Sequence, residues 1–206
     1  MNLKKQLITA VMAIATLTTH AQLAAPGTFT LQPKAGMAIA RITGDGSQFK
    51  AGLAGGIEAQ YQIKNWLAVS TGLMYEQWGV ISDVTPVYDG TELTVKTEYF
   101  LVPVTARFYV AKGLSIGVGL QTGFMTKAKA KLIDTEDDAK EGFNKVDLSI
   151  PLSVAYELPF GLTAEARFSN SLTNTFKKKY TGLSGYKVNK NHNQAIELTV
   201  GYRFKL

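Results

Sequence analysis

The sequence predicts an all-β protein, an eight-stranded antiparallel up-and-down transmembrane β-barrel. Three observations carry that prediction. Apolar residues recur at every second position over long segments, as in strands with one buried face. The segment QAIELTVGYRFKL is the plainest case, with Ile196, Leu198, Val200, Tyr202, Phe204 and Leu206 on one side. The connections alternate between two or three residues and longer stretches rich in Gly, Asp, Asn and Lys, which is the plan of outer-membrane barrels. The polar faces carry mostly small side chains, among them Ala54, Gly56, Ala68, Ser70, Gly72, Ser115, Gly117, Gly119, Ser149, Ser153 and Ala155. A water-facing surface would carry many charges instead.

In chain order, strands are expected at residues 28–41, 50–63, 66–80, 94–110, 114–130, 145–158, 162–172 and 193–206. Lys64 with Asn65, the Ala-Lys-Gly at 111–113 and the Pro-Phe-Gly at 159–161 are the tight turns. The connections after the first, third, fifth and seventh strands are the long ones. Both barrel termini then lie on the short-turn, periplasmic side.

Period alone does not say which face points outward. A soluble barrel lines a cavity with its apolar face, and a membrane barrel reverses this. Small residues suit a narrow bore. The opposite faces suit lipid: Leu53, Ile57 and Tyr61; Leu67, Val69, Leu73 and Tyr75; Phe100, Val102, Val104 and Phe108; Leu148, Ile150, Leu152, Val154 and Tyr156. Aromatics recur toward strand ends, where an interfacial girdle sits. Trp66 and Trp78 fall near the ends of the third strand, on its other face. Pro103 and Pro151 lack the N–H that a ladder uses, and a closed barrel has no edge to hide them, so they are expected to mark bulges.

Mid-strand charges on the inner face are nearly all Glu or Arg: Glu58, Arg107, Glu157, Glu165, Arg167, Glu197 and Arg203, with Lys34 the exception. Buried charges must pair, and the planar fork of Arg does so better than Lys. These residues are expected to form an interior network that fills the bore, mostly toward its short-turn end. The rival reading makes them catalytic carboxylates, but no nucleophile or metal-ligand set accompanies them in the sequence.

The N-terminus has its own pattern. The basic MNLKK, the apolar QLITAVMAIATL and the small Thr19 and Ala21 read as a secretory signal peptide cut after Ala21. Residues 1–21 are then the signal peptide and 22–206 the outer-membrane barrel. No later segment approaches the ~20 continuous apolar residues of a membrane helix. Loss of Lys4 and Lys5 takes Lys+Arg from 22 to 20 against 16 acids, so the formal charge falls from +6 to about +4. That surplus makes no case for nucleic acid. The absence of cysteine excludes disulfides, thiolate metal sites and a lipid anchor on an N-terminal cysteine.

Four segments in the same order resemble the outer-membrane β-barrel domain family common in Bacteroidetes, sometimes described as PorT-like. They are GLAGGIEAQYQIKNWLAVSTGLMYEQWG, YFLVPVTARFYVAKGLSIGVGLQTGF, YELPFGLTAEARFSNSLTN and LTVGYRF, and the resemblance covers about residues 30–206. It implies a small, usually eight-stranded barrel in the outer membrane and no particular activity. Members often carry Glu before the Ile-Pro of the fourth strand. Here Leu101 precedes Val102–Pro103, which is expected to leave the network near Arg107 one acid short. The resemblance also implies that outer-membrane assembly machinery reads the C-terminal strand, usually with an aromatic at its last position. Tyr202, Phe204 and Leu206 form that signal here, with Leu206 in the last place.

Other constellations carry little chemistry. After residue 21 the one histidine is His192, read as a surface-loop residue, since a lone His makes no multi-His metal site. The loop IDTEDDAKEG clusters Asp134, Glu136, Asp137, Asp138 and Glu141, but Ala139 stands where a calcium loop needs Gly, so it reads as a solvated acidic loop. Gly36, Gly44 and Gly46 precede no helix and form no phosphate loop. Lys177, Lys178, Lys179, Lys187 and Lys190, interleaved with Phe176, Tyr180 and Tyr186, make a loop suited to anions or glycans such as lipopolysaccharide phosphates; a merely soluble basic loop is the alternative.

The expectation is thus a monomeric outer-membrane barrel with a plugged interior. Its role is structural or interactive, through surface loops, with no enzyme activity, cofactor or nucleic acid. Its partners are outer-membrane lipid, lipopolysaccharide and the assembly machinery. A narrow channel, an adhesin or secretion-system accessory barrel, and a soluble periplasmic barrel stay open as alternatives.

Overall fold

The structure is a computed structural model that describes residues 24–43, 47–83, 92–132, 135–177 and 191–206. Residues 1–21, expected to be a signal peptide, lie outside the described residues. Ten strands form one sheet: β1 (Phe29–Ile42), β2 (Ser47–Lys64), β3 (Leu67–Asp83), β4 (Glu92–Ala111), β5 (Leu114–Leu132), β6 (Thr135–Asp138), β7 (Val146–Glu157), β8 (Leu162–Ser171), β9 (Asn193–Tyr202) and β10 (Phe204–Lys205). Eight of these positions make the barrel wall. The short β6 only extends β5 outward, and β10 continues β9 past Arg203. Every pairing is antiparallel between chain neighbours, and β1 pairs with β9 and β10 to close the circle. Closure removes the free edge that an open sheet would present to lipid.

The expected eight-stranded antiparallel barrel is therefore the fold. The three tight turns fall where the sequence puts them, with Gly113 and Gly161 at positive φ (75° and 92°). Only residues without a Cβ adopt that conformation freely. The outward faces are apolar: Leu53, Leu73, Val104, Leu120, Leu152 and Val200 are each at least half exposed. On β4 the outward apolar row runs from Phe100 to Val110, eleven residues, the length a tilted membrane-spanning strand needs.

Three expectations need correction. Pro103 and Pro151 do not mark bulges. Each sits inward and buried in a strand whose register is unbroken across it. The ladder simply lapses beside each ring: the β3–β4 pairs skip from Thr71↔Val104 to Met74↔Leu101, and the β5–β7 pairs from Val118↔Leu152 to Gln121↔Ser149. By those registers Pro103 faces Gly72 and Pro151 faces Gly119, so each ring meets a residue with no side chain. Trp66 does not face inward. A register shift between Gln62 and Lys64 puts it in the turn, outward and stacked on Phe108 with ring centroids 6.2 Å apart. The acidic loop is not wholly loop, because Thr135–Asp138 pairs with Lys129–Leu132 of β5.

Candidate functional site

The bore is where the barrel gathers its charge. Inward positions follow from parity, even-numbered on β1, β2 and β3 and odd-numbered on β4, β7, β8 and β9. Those parities bring Lys34 (β1), Glu58 (β2), Arg107 (β4) and Glu165 with Arg167 (β8) to one level. Arg107 Nη2 donates to Glu58 Oε1 and Glu165 Oε2, both at 3.0 Å. Arg167 Nη2 donates to Glu58 Oε2 at 3.0 Å and Glu165 Oε1 at 2.7 Å. Lys34 Nζ lies 3.0 Å from Glu58 and 3.6 Å from Glu165. Three cations thus share two carboxylates, and every side chain in the set is within 2 % of full burial. Since β2, β4 and β8 are not neighbours in the wall, these contacts cross the bore.

Glu197 joins this cluster more loosely, 3.9 Å from Arg167. Arg203 and Glu157 do not join it. They pair with each other nearer the short turns, where Arg203 also donates to Tyr109 and Gln32 at 2.8 Å. The seven sequence-selected charges therefore occupy two layers. With Leu101 in the fourth strand, the cluster around Arg107 has three cations on two close carboxylates, both of which Arg107 Nη2 reaches at 3.0 Å.

The outer half of the bore holds an apolar cluster. Met74, Leu101, Met125, Tyr99, Trp78 and Phe143 are buried there with small residues of β1 and β9. The Trp78 and Tyr99 rings lie 4.6 Å apart, and Trp78 Nε1 donates to Glu76 at 2.6 Å. Sequence reasoning missed Glu76 and this apolar layer. Parity alone placed Glu76 on the inner face beside Trp78, and that was the available signal. Toward the outer mouth, Asp147 accepts from Ser171 at 2.7 and 2.8 Å and from Asn193 at 2.9 Å.

His192 is part-buried in the last long connection, its backbone N–H bonded to Thr43 and its ring Nδ1 3.0 Å from the Thr173 carbonyl. Lys177 bonds through its backbone to Gly142; Lys178, Lys179, Lys187 and Lys190 lie outside the described residues. Among the described residues, no group of three or more His, Cys, Asp and Glu could hold a metal ion. Tyr202, Phe204 and Leu206 face outward, and β10 holds Phe204 against Leu31 and Lys205 against Thr30 of β1.

A closed eight-stranded wall, apolar outside and ion-paired within, defines a small outer-membrane β-barrel. The sequence comparison agrees: residues 20–177 match the family model described as outer membrane protein beta-barrel domain, and the chain belongs to that family. Its place is the outer membrane. A search of curated proteins gives no match. Among solved structures, Neisserial surface protein A is similar at 14% identity and a TM-score of 0.51, over 85% of this chain and 97% of that one. OprG from Pseudomonas aeruginosa gives 11% and 0.49 over 88% and 98%. Ail, the attachment invasion locus protein of Yersinia pestis, in complex with the heparin analogue sucrose octasulfate, gives 16% and 0.47 over 86% and 99%. At such identities the likeness is one of fold.

Proposed function

We propose that this protein is a non-conducting outer-membrane barrel, with no enzyme activity, that acts as a structural or interaction element through its surface loops. The observation that carries the reading is Arg107 bridging Glu58 and Glu165 from opposite parts of the wall. Arg107 Nη2 bonds both carboxylates across the bore, which supports closure at that level, and the apolar cluster above supports a second obstruction. Eight strands enclose a bore that side chains fill.

The finer features belong to the same proposal. The chain is monomeric, makes no contact with nucleic acid, and is delivered by a signal peptide cut near Ala21. It belongs to the PorT-like Bacteroidetes branch of the family, on the strength of the four quoted segments. Assembly machinery recognises Tyr202, Phe204 and Leu206, and lipopolysaccharide lies around the wall. The loop of Lys177–Lys179, Lys187 and Lys190 contacts anionic glycans.

The test is conductance of the refolded protein in planar bilayers. The expected result is a flat baseline. Stable single-channel steps would overturn the plugged reading and leave the narrow channel standing.

A further inference from the structure

The outer wall of the barrel carries a recess that the bore does not explain. It lies at the long-loop end of β2–β5, has a volume of about 460 Å³, and is bordered by Lys50, Gln77, Lys96, Glu98, Lys127 and Lys129. We propose that this recess binds a phosphate group on the head group of an outer-leaflet lipid.

Two bulges build it. On β5, odd positions face the bore from Ser115 to Met125. Continued, that parity would turn Lys127 and Lys129 inward. One extra residue, Thr126, intervenes between the pairs Tyr99↔Met125 and Glu98↔Lys127, and its hydroxyl is pinned to the Glu98 carbonyl at 3.2 Å. A bulge re-aims the side chains beyond it. Ala128 becomes the buried residue, and Lys127 and Lys129 stand on the outer surface. On β2, the register against β3 slips between Phe49 and Ala54. Lys50 then lies across Gly79 of β3, where a Cβ would sit 2.8 Å from the lysine Cδ. Lys96, exposed on β4, faces Lys129 in register.

Charge is incompletely balanced there. Glu98 pairs with Lys127 at 3.2 Å, and Asp138 stands opposite Lys129 across β5 and β6. Four ammonium groups among the described residues stand against these two carboxylates. Among the described residues, Lys50 makes its hydrogen bond to the Ala51 carbonyl at 3.4 Å, a neutral acceptor.

Height on the wall selects the ligand. Tyr75, Phe100 and Phe124 stand in one register row, with Tyr75 and Phe100 ring centroids 5.7 Å apart. Aromatics of this kind mark the membrane interface. The next outward row is Gln77, Glu98 and Lys127, the floor of the recess. Its lysines therefore meet the head-group layer and not the extracellular medium alone. A phosphomonoester on a glycolipid whose chains lie along the apolar wall would receive several ammonium donors at once. This site is separate from the bore, so it stands whether or not the barrel conducts.

The experiment uses the full chain, refolded in zwitterionic micelles and titrated with diphosphoryl lipid A, with bound lipid counted by native mass spectrometry. Lys96→Gln with Lys129→Gln is compared with Lys112→Gln on the opposite, short-turn end, and folding is checked for each by heat-modifiable gel migration. A basic residue near an anionic lipid surface contributes about fivefold in affinity, so the double variant should bind about 25-fold more weakly. Lys112→Gln should bind as the parent does. Unchanged lipid A binding in the folded double variant, or an equal loss in Lys112→Gln, would overturn the site. Inorganic phosphate binding as tightly as lipid A would overturn the assignment to lipid. If the double variant fails to fold, Lys50→Gln alone is read instead, and a loss of less than twofold overturns the proposal.

Discussion

Replacing Arg107 with Met should cost the barrel about 3–4 kcal/mol of stability. The side chain makes two charge-assisted hydrogen bonds at 3.0 Å, to Glu58 and Glu165. Each such bond contributes about 1.5–3 kcal/mol, and breaking a buried pair by removing one partner costs about 3–5 kcal/mol. Arg167 and Lys34 still touch both carboxylates after the change, which holds the loss to the lower part of that range. Lys34→Met should cost less, about 1–2 kcal/mol, because one of its two contacts is already 3.6 Å long. The assay is equilibrium urea unfolding in phospholipid vesicles, followed by tryptophan emission, with the slope checked for constancy. A double-mutant cycle sharpens it. Arg107→Met with Glu165→Gln should show a coupling of at least about 1 kcal/mol, while Arg107→Met with Glu157→Gln should be additive within about 0.5 kcal/mol. Glu157 belongs to the separate Arg203 pair. A loss under about 1 kcal/mol for Arg107→Met, or equal coupling to both acids, would refute the shared central cluster.

Three further outcomes follow from the same geometry. Gly119→Val should abolish the folded, heat-resistant gel band, since a Cβ there would run into the Val104 carbonyl, whereas Gly142→Ala, which meets nothing within 4 Å, should leave it intact. Trp78→Phe should lower stability by about 1–3 kcal/mol by removing the donor to the buried Glu76 carboxyl, read as a shift of the urea midpoint. Removing residues 204–206 takes away the β10–β1 pairs and the Leu206 bond to Phe29; the shortened chain should be lost from the outer-membrane fraction, and its stable insertion would contradict the role of that strand in closure.

Much of the wall was legible because a strand advertises its two faces locally. The eight segments, the three tight turns and the outward apolar rows all follow from period two and turn chemistry. The bore was only half legible. Parity puts Glu58, Arg107, Glu165 and Arg167 inside, but which of them meet depends on shear between strands far apart in sequence. Hence Arg203 and Glu157 were grouped with partners they do not touch. Met74, Leu101 and Met125 interrupt the polar face one residue at a time, so their joint apolar layer is invisible until the wall closes. Bulges are hardest to see. The one extra residue at Thr126 leaves composition unchanged and reverses every side chain beyond it.

That reversal also accounts for how the two kinds of cation are divided. Inside the bore, Arg107, Arg167 and Arg203 each reach two or more acceptors from a planar fork, which offsets the cost of burial. Lysine, a strongly hydrated point charge, gains less there, and Lys34 is held only where two carboxylates converge on it. Had β5 kept its register, Lys127 and Lys129 would have brought two ammonium groups to be buried in the layer of Trp78, Tyr99 and Met125, where Glu76 and Asp147 already accept from Trp78, Ser171 and Asn193. The bulge removes that penalty and delivers both lysines to the outer surface above the aromatic row. One local irregularity thus keeps two lysines out of the upper bore and concentrates positive charge on the wall. Deleting Thr126 should consequently lose the fold and the lipid-facing charge together, whereas Thr126→Ala, which keeps the extra residue and removes only its bond to Glu98, should retain both.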